Sequence, residues 1–275
     1  MKIINKISDF IELRCQISKK IALVPTMGSI HEGHISLVET AKKHGDTVVA
    51  TIFVNPIQFN NTEDYISYPK NFDKDVANLE KNGVDILFCP SLSEVYPDGF
   101  DTTVRVNYLS DCLEGKYRKG HMEGVATIVT KLFNITAPDY AIFGEKDYQQ
   151  LLIIKSLVKD LDIPCQIVPI NTVRDNNGLA ISSRNLYLSP KQINIANNIN
   201  KIMTEAAKNF YNVDINETIS FVRKSIEKVG INKIDYIEIR DNHNLENISN
   251  NNKSNARLFI AVYIDEVRLI DNIKL

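Results

Sequence analysis

The chain has 275 residues, of which 44% are hydrophobic and 24% are charged, so its composition is that of an ordinary globular protein with room for two domains. Its formal net charge of −2 argues against nucleic acid as a partner, because nucleic-acid-binding domains carry an excess of basic residues. No apolar run reaches membrane-spanning length and the first residues lack the apolar stretch of a signal peptide, so we expect a cytoplasmic protein with no membrane partner.

Residues 1–174 alternate buried strands with amphipathic helices. The predicted strands are Ile21–Val24, Thr47–Val54, Val84–Cys89, Tyr140–Phe143 and Gln166–Val173, and the helices between them are His34–His44, Asp73–Asn82, Gly124–Thr136 and Tyr148–Leu161. Continuous apolar strands are typical of a parallel sheet that helices cover on both faces. The alternation predicts an α/β fold with a Rossmann-like, doubly wound parallel sheet, which binds ligands at the carboxyl ends of its strands.

The pattern changes at the turn Asp175-Asn176-Asn177-Gly178, and residues 175–275 are predicted to form a smaller α+β domain. Ser189-Pro190 marks a helix start with Ile195, Ile199 and Ile202 on one face. The remaining predicted elements are a helix at Glu217–Val229, a solvated loop at Asn242–Asn255, and strands at Ile234–Arg240, Arg257–Ile264 and Val267–Ile270.

The segment from Pro25 to His34 joins the first strand to the first helix. It reads Pro25-Thr26-Met27-Gly28-Ser29-Ile30-His31-Glu32-Gly33-His34. A helix that begins after a strand offers free backbone N–H groups and the positive end of its dipole, which favour phosphate. The imidazoles of His31 and His34 add donors that can follow charge on a reacting phosphoryl group, so the segment indicates nucleotide chemistry.

The same histidines allow two other interpretations. A zinc metalloprotease helix needs histidines at i and i+4, whereas His31 and His34 are three apart with Gly33 between them, so we expect no zinc and no metal ligands among the side chains. The pair could also be loop histidines without a function. The four cysteines show no metal-ligand spacing, and three of them have apolar neighbours, so we expect reduced core cysteines; they are Cys15, Cys89, Cys112 and Cys165.

Polar segments recur beyond other predicted strands. They are Asn55-Pro56-Ile57-Gln58-Phe59, the basic loop Lys116-Tyr117-Arg118-Lys119-Gly120-His121, Gly144-Glu145-Lys146-Asp147-Tyr148-Gln149-Gln150, and Ile181-Ser182-Ser183-Arg184. Lys146 and Arg184 are suited to phosphate oxygens, and Asp147 can accept from a hydroxyl. Each segment alone is more typical of a turn, a helix cap, a surface ion pair or a solvated loop, but their joint placement favours a ligand site.

The histidine segment Pro25 to His34 and most of these polar segments, though not the basic loop, closely resemble the pantothenate synthetase (pantoate–β-alanine ligase) family of the nucleotidyltransferase superfamily. The matching residues span about 20–190 and include Phe53 to Phe59, Tyr68-Pro69, Tyr96-Pro97-Asp98-Gly99, Phe143 to Gln150 and Asp175 to Leu188. The resemblance implies an enzyme in which the pantoate carboxylate attacks the α-phosphate of Mg²⁺-bound ATP. β-Alanine then displaces AMP from the resulting pantoyl adenylate. The expected partners are these small molecules and a second copy of the chain in a homodimer.

The resemblance also implies roles for individual residues. The ATP-binding residues would be Met27, Gly28, Ser29, Ile30, His31, Glu32, Gly33, His34, Gly144, Glu145, Lys146, Asp147, Val173, Ile181, Ser182, Ser183 and Arg184. His34 takes the role of proton donor, and His31, Lys146 and Arg184 act with it in catalysis. Gln58 would bind pantoate and β-alanine, and Gln150 would bind pantoate. Position 181 is Ile where the family commonly has Met, a change that a backbone contact to adenine should tolerate.

Two rival functions remain open at the level of sequence. Another nucleotidyltransferase, acting on a phosphorylated small molecule, would share the histidine segment but would not need the pair Gln58 and Gln150. A catalytically inactive nucleotide sensor would not need His34, Lys146 and Arg184 together.

Overall fold

The computed structural model describes residues 1–60 and 62–275, except for the side chains of residues 62–64. The chain divides into two compact units. The first comprises Met1–Glu145 and Gln150–Asn171, and the second comprises Lys146–Gln149 and Thr172–Leu275. No helix in this described part of the chain is long and apolar enough to cross a membrane.

A parallel sheet organises the first unit. Its strands, counted over the described residues, are β1 (Lys2–Ile4), β2 (Ile21–Thr26), β3 (Thr47–Ile52), β4 (Ile86–Phe88), β5 (Tyr140–Gly144) and β6 (Gln166–Ile170). They lie in the order β1-β4-β3-β2-β5-β6, and every pairing is parallel. The chain winds outward from β2 in one direction through β3 and β4 and in the other through β5 and β6. The carboxyl ends of β2 and β5 therefore flank the topological switch point, where such sheets bind ligands.

Helices connect these strands and cover the sheet. They are α1 (Ile7–Gln16), α2 (Glu32–His44), α3 (Thr62–Ser67), α4 (Phe72–Lys81), α5 (Leu92–Val95), α6 (Asn107–Asp111), α7 (Glu114–Tyr117), α8 (His121–Thr136) and α9 (Tyr148–Asp160). Leu37, Val38 and Ala41 lie on one face of α2 and are buried against Ala22 and Val24 of β2. This i, i+1, i+4 spacing buries one face of α2 against the sheet, and residues 27–31 connect its N-terminus to the end of β2.

The second unit packs helices on a three-stranded antiparallel sheet within the described residues. Its elements are α10 (Pro190–Ala196), α11 (Asn198–Asn209), α12 (Ile215–Lys228), β7 (Lys233–Asp241), β8 (Ala256–Ile264) and β9 (Val267–Lys274). Ile199, Met203 and Val222 of the helices share one buried core with Leu258 and Ile260 of β8. Short 3-10 helices occur at Pro56–Gln58, Glu145–Asp147, Ser183–Tyr187 and Phe210–Asn212.

The predicted fold class is confirmed, but the bounds of some helices were wrong and some elements were not predicted. The elements β1 and α1 were not predicted, because β1 has only three residues and α1 buries only Phe10, so neither gives a clear periodic signal. Helix α2 begins at Glu32 rather than His34, because His31 is its N-cap. The helix expected from Pro190 is broken at Asn197. There the Asn198 side-chain amide donates to the carbonyls of Asn194 and Ile195 and so competes with the backbone ladder.

Two predicted loops contain more structure than expected. The basic segment 116–121 is not a solvated loop: Lys116 and Tyr117 end α7, and the buried His121 begins α8. In the segment 242–255, Leu245 and Asn242 are buried and residues 249 and 252 form an isolated bridge, so the prediction of a solvated loop was wrong in part. All four cysteines are free, but only Cys112 and Cys165 are buried, Cys89 is half-buried and Cys15 is exposed.

Candidate active site

The turn between β2 and α2 is fixed by hydrogen bonds to its own backbone amides. Gly28 and Ser29 both have positive φ values, 85° and 53°. The Gly28 amide donates to Thr26 Oγ1 at 3.1 Å. The amides of Ser29 and Ile30 donate to the two carboxylate oxygens of Asp75 at 2.8 and 2.7 Å. A Cβ at position 28 would lie 3.0 Å from Asp75 Oδ2 while the backbone holds a left-handed conformation, so this turn favours glycine.

Asp75 is a functional candidate that the sequence analysis missed. It lies on α4 and is only 3% exposed, so its carboxylate requires hydrogen-bond donors. It obtains them from the turn that precedes α2, and it thereby sets the conformation of that turn. A lone Asp in the polar first turn of a helix has an ordinary role near the helix dipole, so nothing in the local sequence could have identified it.

These bonds leave the N–H groups of the turn itself unavailable to phosphate. The amide of His31 is also engaged, with His34 Nδ1 at 3.4 Å. In the described structure, the amides of Glu32 and Gly33 in the first turn of α2 remain without a backbone or side-chain acceptor. The anion-binding capacity of the segment therefore lies at the start of the helix, where the dipole also acts.

His31 and His34 are brought together as a stacked pair. Their ring centroids are 4.0 Å apart and the ring planes are inclined by 28°. A Cβ at Gly33 would come within 2.9 Å of His31 Cε1, so a larger residue there would displace the stacked ring. No group of three or more His, Cys, Asp and Glu residues within 1–60 and 62–275 is arranged to hold a metal ion.

Gln58 lies at the end of an oriented chain of hydrogen bonds. The Tyr96 hydroxyl donates to Asn55 Oδ1 at 2.8 Å, and Asn55 Nδ2 donates to Gln58 Oε1 at 3.1 Å. Burial raises the pKa of Tyr96, so its hydroxyl stays protonated and remains the donor. The order of donors and acceptors fixes the Gln58 amide, whose Nε2 faces Met27 Sδ at 3.0 Å. A sulfur atom is a weak acceptor, so Gln58 keeps an N–H₂ group suited to a ligand oxygen.

A second set of contacts holds the main chain of Gln58. His121 Nδ1 lies 2.7 Å from the Gln58 carbonyl oxygen, and its Nε2 lies 2.9 Å from Arg118 Nη1. Because arginine can only donate, Nε2 accepts and Nδ1 carries the proton that it donates to Gln58. Arg118 also pairs with the buried Glu114 at 3.3 Å. A Cβ at Gly124 would lie 2.8 Å from Gln58 Cα, so α8 can approach this segment only with glycine there.

In the second unit, Lys146 belongs to the 3-10 helix Glu145–Asp147, which follows β5 in sequence. Its ammonium lies 3.5 Å from Asp147 Oδ1, a long contact that leaves it available to an anion. Its carbonyl oxygen accepts a hydrogen bond from Asn272 Nδ2 at 2.9 Å.

The segment 181–184 follows a tight hairpin. Arg174 and Ala180 form a β-bridge, and the Asp175 carboxylate accepts from the amides of Asn177 and Leu179 at 2.8 and 2.9 Å. The Ile181 amide then donates to the Val173 carbonyl at 3.0 Å, and Ser182 Oγ accepts from the Arg184 amide at 3.2 Å.

A small cavity of about 20 Å³ in the second unit joins these segments. Its lining includes Lys146, Ser182, Arg184, Asn185 and Asp271. The structure thus brings Lys146 and Arg184 together, two of the cations predicted to meet phosphate. Of the other predicted residues, Gly144 ends β5, Gln150 lies half-buried on α9, and Val173 and Ile181 are joined by the hydrogen bond above.

A doubly wound parallel sheet with paired histidines beyond a strand at its switch point is typical of nucleotide-binding α/β enzymes. The sequence model of the pantoate-beta-alanine ligase family matches residues 2–274. The chain belongs to this family.

Individual relatives agree with this assignment. A pantothenate synthetase of Sulfurihydrogenibium sp. (strain YO3AOP1) is 48% identical over 259 residues, which cover 93% of this chain and 92% of the relative. One from Thermoanaerobacter sp. (strain X514) is 44% identical, with coverage of 99% and 98%. The crystal structure of the Thermus thermophilus enzyme has a TM-score of 0.94 at 38% identity, covering 100% of this chain and 99% of that one.

A second structure, of the Francisella tularensis pantoate-beta-alanine ligase complexed with beta-gamma ATP and beta-alanine, has a TM-score of 0.85 at 40% identity. It covers 100% of this chain and 97% of the other. The chain is therefore a ligase of pantothenate biosynthesis that uses ATP, as the sequence resemblance predicted.

Proposed function

We propose that the chain joins pantoate to β-alanine in two half-reactions. In the first, a pantoate carboxylate oxygen attacks the α-phosphorus of ATP, and the bond to the bridging oxygen of pyrophosphate breaks. In the second, the β-alanine amine attacks the acyl carbon of pantoyl adenylate, and AMP leaves with the oxygen that bridged the two groups. ATP enters as its Mg²⁺ complex, so the ion is part of the substrate.

The residues that contact ATP are proposed to be Met27, Gly28, Ser29, Ile30, His31, Glu32, Gly33, His34, Gly144, Glu145, Lys146, Asp147, Val173, Ile181, Ser182, Ser183 and Arg184. The free amides of Glu32 and Gly33 support a phosphate contact at the start of α2. The common cavity of Lys146 and Arg184 supports a joint action on phosphate oxygens. His34, stacked on His31, is the proposed proton donor, and these imidazoles and cations stabilise charge as the phosphoryl group transfers.

The oriented amide of Gln58 is the observation that carries the proposal. Its neighbours Asn55, Tyr96 and Met27 are neutral, and the hydrogen-bond order makes Gln58 a donor. A hydroxy acid such as pantoate needs neutral donors for its oxygens, whereas a phosphorylated acceptor would need cations. We assign Gln58 to pantoate and β-alanine and Gln150 to pantoate.

Isotope exchange tests this proposal. Labelled pyrophosphate should enter ATP when pantoate is present and β-alanine is absent, because the first half-reaction is reversible without the amine. If the label enters ATP equally well without pantoate, or only when a phosphorylated acceptor is present, the result would favour the nucleotidyltransferase alternative. Absence of turnover with all three substrates would favour a nucleotide sensor.

We also propose a homodimer in the cytoplasm, on the basis of the family resemblance. Light scattering coupled to size-exclusion chromatography should give twice the 31.2 kDa chain mass. A mass equal to that of one chain would contradict the proposed homodimer.

A further inference from the structure

Two adjacent residues of β9, Asp271 and Asn272, are buried polar side chains. Each is 5% exposed. Burial of polar groups is unfavourable unless they form hydrogen bonds, so the partners of this pair show what it holds in place.

Asn272 uses both ends of its side-chain amide. Its Oδ1 accepts from Arg257 Nη1 at 2.5 Å, and its Nδ2 donates to the carbonyl oxygen of Lys146 at 2.9 Å. Because arginine has no acceptor, the contact with Arg257 fixes which end of the amide faces Lys146. The Arg257 guanidinium also lies 3.7 Å from the centre of the Tyr148 ring. Asn272 therefore contacts the residue before Asp147, and its partner Arg257 contacts the residue after it.

Asp271 anchors Asn272 and the hairpin that leads to the Ser182–Arg184 segment. Its Oδ1 accepts from the Asn272 amide at 2.8 Å. Its carboxylate also forms a bidentate pair with Arg174 at 2.6 and 2.8 Å, and Arg174 donates in turn to the Gly178 carbonyl at 3.1 Å. One strand therefore fixes two segments that are proposed to bind ATP.

We infer that Asn272 is a positioning residue that places the main chain of Lys146 so that its ammonium reaches the phosphoryl group. The lysine side chain is long and flexible, so the point where it leaves the backbone limits where its charge can be held. A displacement of about 1 Å at a charge-stabilising group can lower the rate about a hundredfold. This inference rests on the proposed function of Lys146.

Substitution by Asp and by Ala separates positioning from stability. Asn272→Asp keeps an acceptor for Arg257 but turns a carboxylate oxygen toward the Lys146 carbonyl, whereas Asn272→Ala removes both contacts. The Asp variant should unfold at no lower temperature than the Ala variant. Its kcat/KM for ATP in the complete reaction should nevertheless fall about tenfold or more, and at least as far as that of the Ala variant.

A purely structural role gives a different pattern. Activity would then follow stability, and the Asp variant would be the more active of the two; that result would overturn the inference. If the Ala variant does not fold, the Asp variant compared with the native chain decides the question, because near-native activity would overturn the inference and a tenfold loss would support it.

A double-mutant cycle with Lys146→Ala gives the second test. In that background Asn272→Asp should cost less than about threefold, because Asn272 acts through Lys146. Thr218→Val is the matched control: it removes another partly buried hydrogen bond of the second unit, from Thr218 Oγ1 to the Asp214 carbonyl at 3.1 Å, and should lower stability without coupling to Lys146.

The outcomes distinguish a failure of the proposed function of Lys146 from a failure of the inference about Asn272. A Lys146→Ala enzyme with native kcat/KM would overturn the proposed function of Lys146 and the inference with it. A severely impaired Lys146→Ala enzyme, to which Asn272→Asp adds its full cost, would overturn the inference alone.

Discussion

The histidine turn of the first unit and the nucleotide segments of the second unit are held in place by different means. The turn is fixed in part by neighbours in sequence, since Thr26, His31 and His34 bond within it, and in part by Asp75, which accepts from two of its amides. Lys146 is held by Asn272, which lies 126 positions further along the chain. A locally held site can be recognised as a motif, whereas a site held from a distance depends on residues that carry no motif of their own.

Removal of the reacting groups should give the largest effects in both regions. His34→Ala and Lys146→Ala should each lower kcat by roughly a hundredfold or more, because both groups act mostly as the phosphoryl charge redistributes. Both residues lie beyond strand ends, so circular dichroism should show a native fold. Near-normal turnover by a folded His34→Ala enzyme would remove His34 from the mechanism.

Asp75→Asn tests the hydrogen bonds that anchor the histidine turn to α4. The Asn side chain can accept from only one of the two amides at Ser29 and Ile30, and its N–H₂ group would face the other. We expect a loss of about 1–3 kcal/mol in unfolding free energy and a fall of tenfold to about a hundredfold in kcat/KM for ATP.

Asp73→Asn is the matched control, because it makes the same change in charge at an exposed position of the same helix. It should leave both quantities unchanged. Equal effects of the two substitutions would mean that charge, rather than the hydrogen bonds to the turn, explains the result.

The two glutamines should separate the substrates. Gln58→Ala and Gln150→Ala should each weaken pantoate binding by roughly 1–3 kcal/mol, because a ligand oxygen loses its donor. ATP binding, measured alone by calorimetry, should change little. A collapse of ATP affinity with intact pantoate binding would contradict the assignment.

Tyr96→Phe should give a smaller effect on the same substrate. Without the hydroxyl donor, Asn55 loses the contact that orients it toward Gln58, and pantoate binding should weaken by about 0.5–1.5 kcal/mol. Tyr211→Phe, at an exposed ring, is the control and should have no effect. Unchanged pantoate affinity in Tyr96→Phe would show that Asn55 keeps its orientation without the hydroxyl.

Alkylation should be slow at the half-buried Cys89 and the buried Cys165, and its rate can report whether the first unit stays intact in these variants. Burial raises the pKa of Cys89 and of Cys165 to about 12, so at pH 8 almost none of either thiol is the reactive thiolate. The exposed Cys15 should be alkylated first, as mass spectrometry would show. Rapid alkylation of Cys89 in Asp75→Asn would mean that the sheet, and not only the turn, has opened.

Much of the sheet could be predicted from the sequence because its strands are continuous apolar runs with amphipathic helices between them. The positions of β2, β3 and β5 follow from burial, which the residue pattern reports directly. The strand β1 and the break at Asn197 could not be predicted, since a three-residue strand and a side chain that competes with the backbone give no periodic signal.

The site shows the same division. The histidine turn and Gln58 lie in recognisable segments, but their supports Asp75 and His121 are identified only by contacts made in three dimensions. The basic segment around Arg118 was interpreted from its charge, whereas the structure uses Arg118 to orient His121. A charged residue in a sequence does not show which side chain it will pair with in the folded protein.

Transfer of oxygen from substrate to product tests the adenylate mechanism most directly. Pantoate labelled with ¹⁸O in its carboxylate should be converted with ATP and β-alanine, and the AMP product should be analysed by mass spectrometry. If pantoyl adenylate forms, AMP carries one labelled oxygen, because the oxygen that bridged the acyl and phosphoryl groups leaves with it. Unlabelled AMP, with the label in pyrophosphate or inorganic phosphate, would contradict the mechanism.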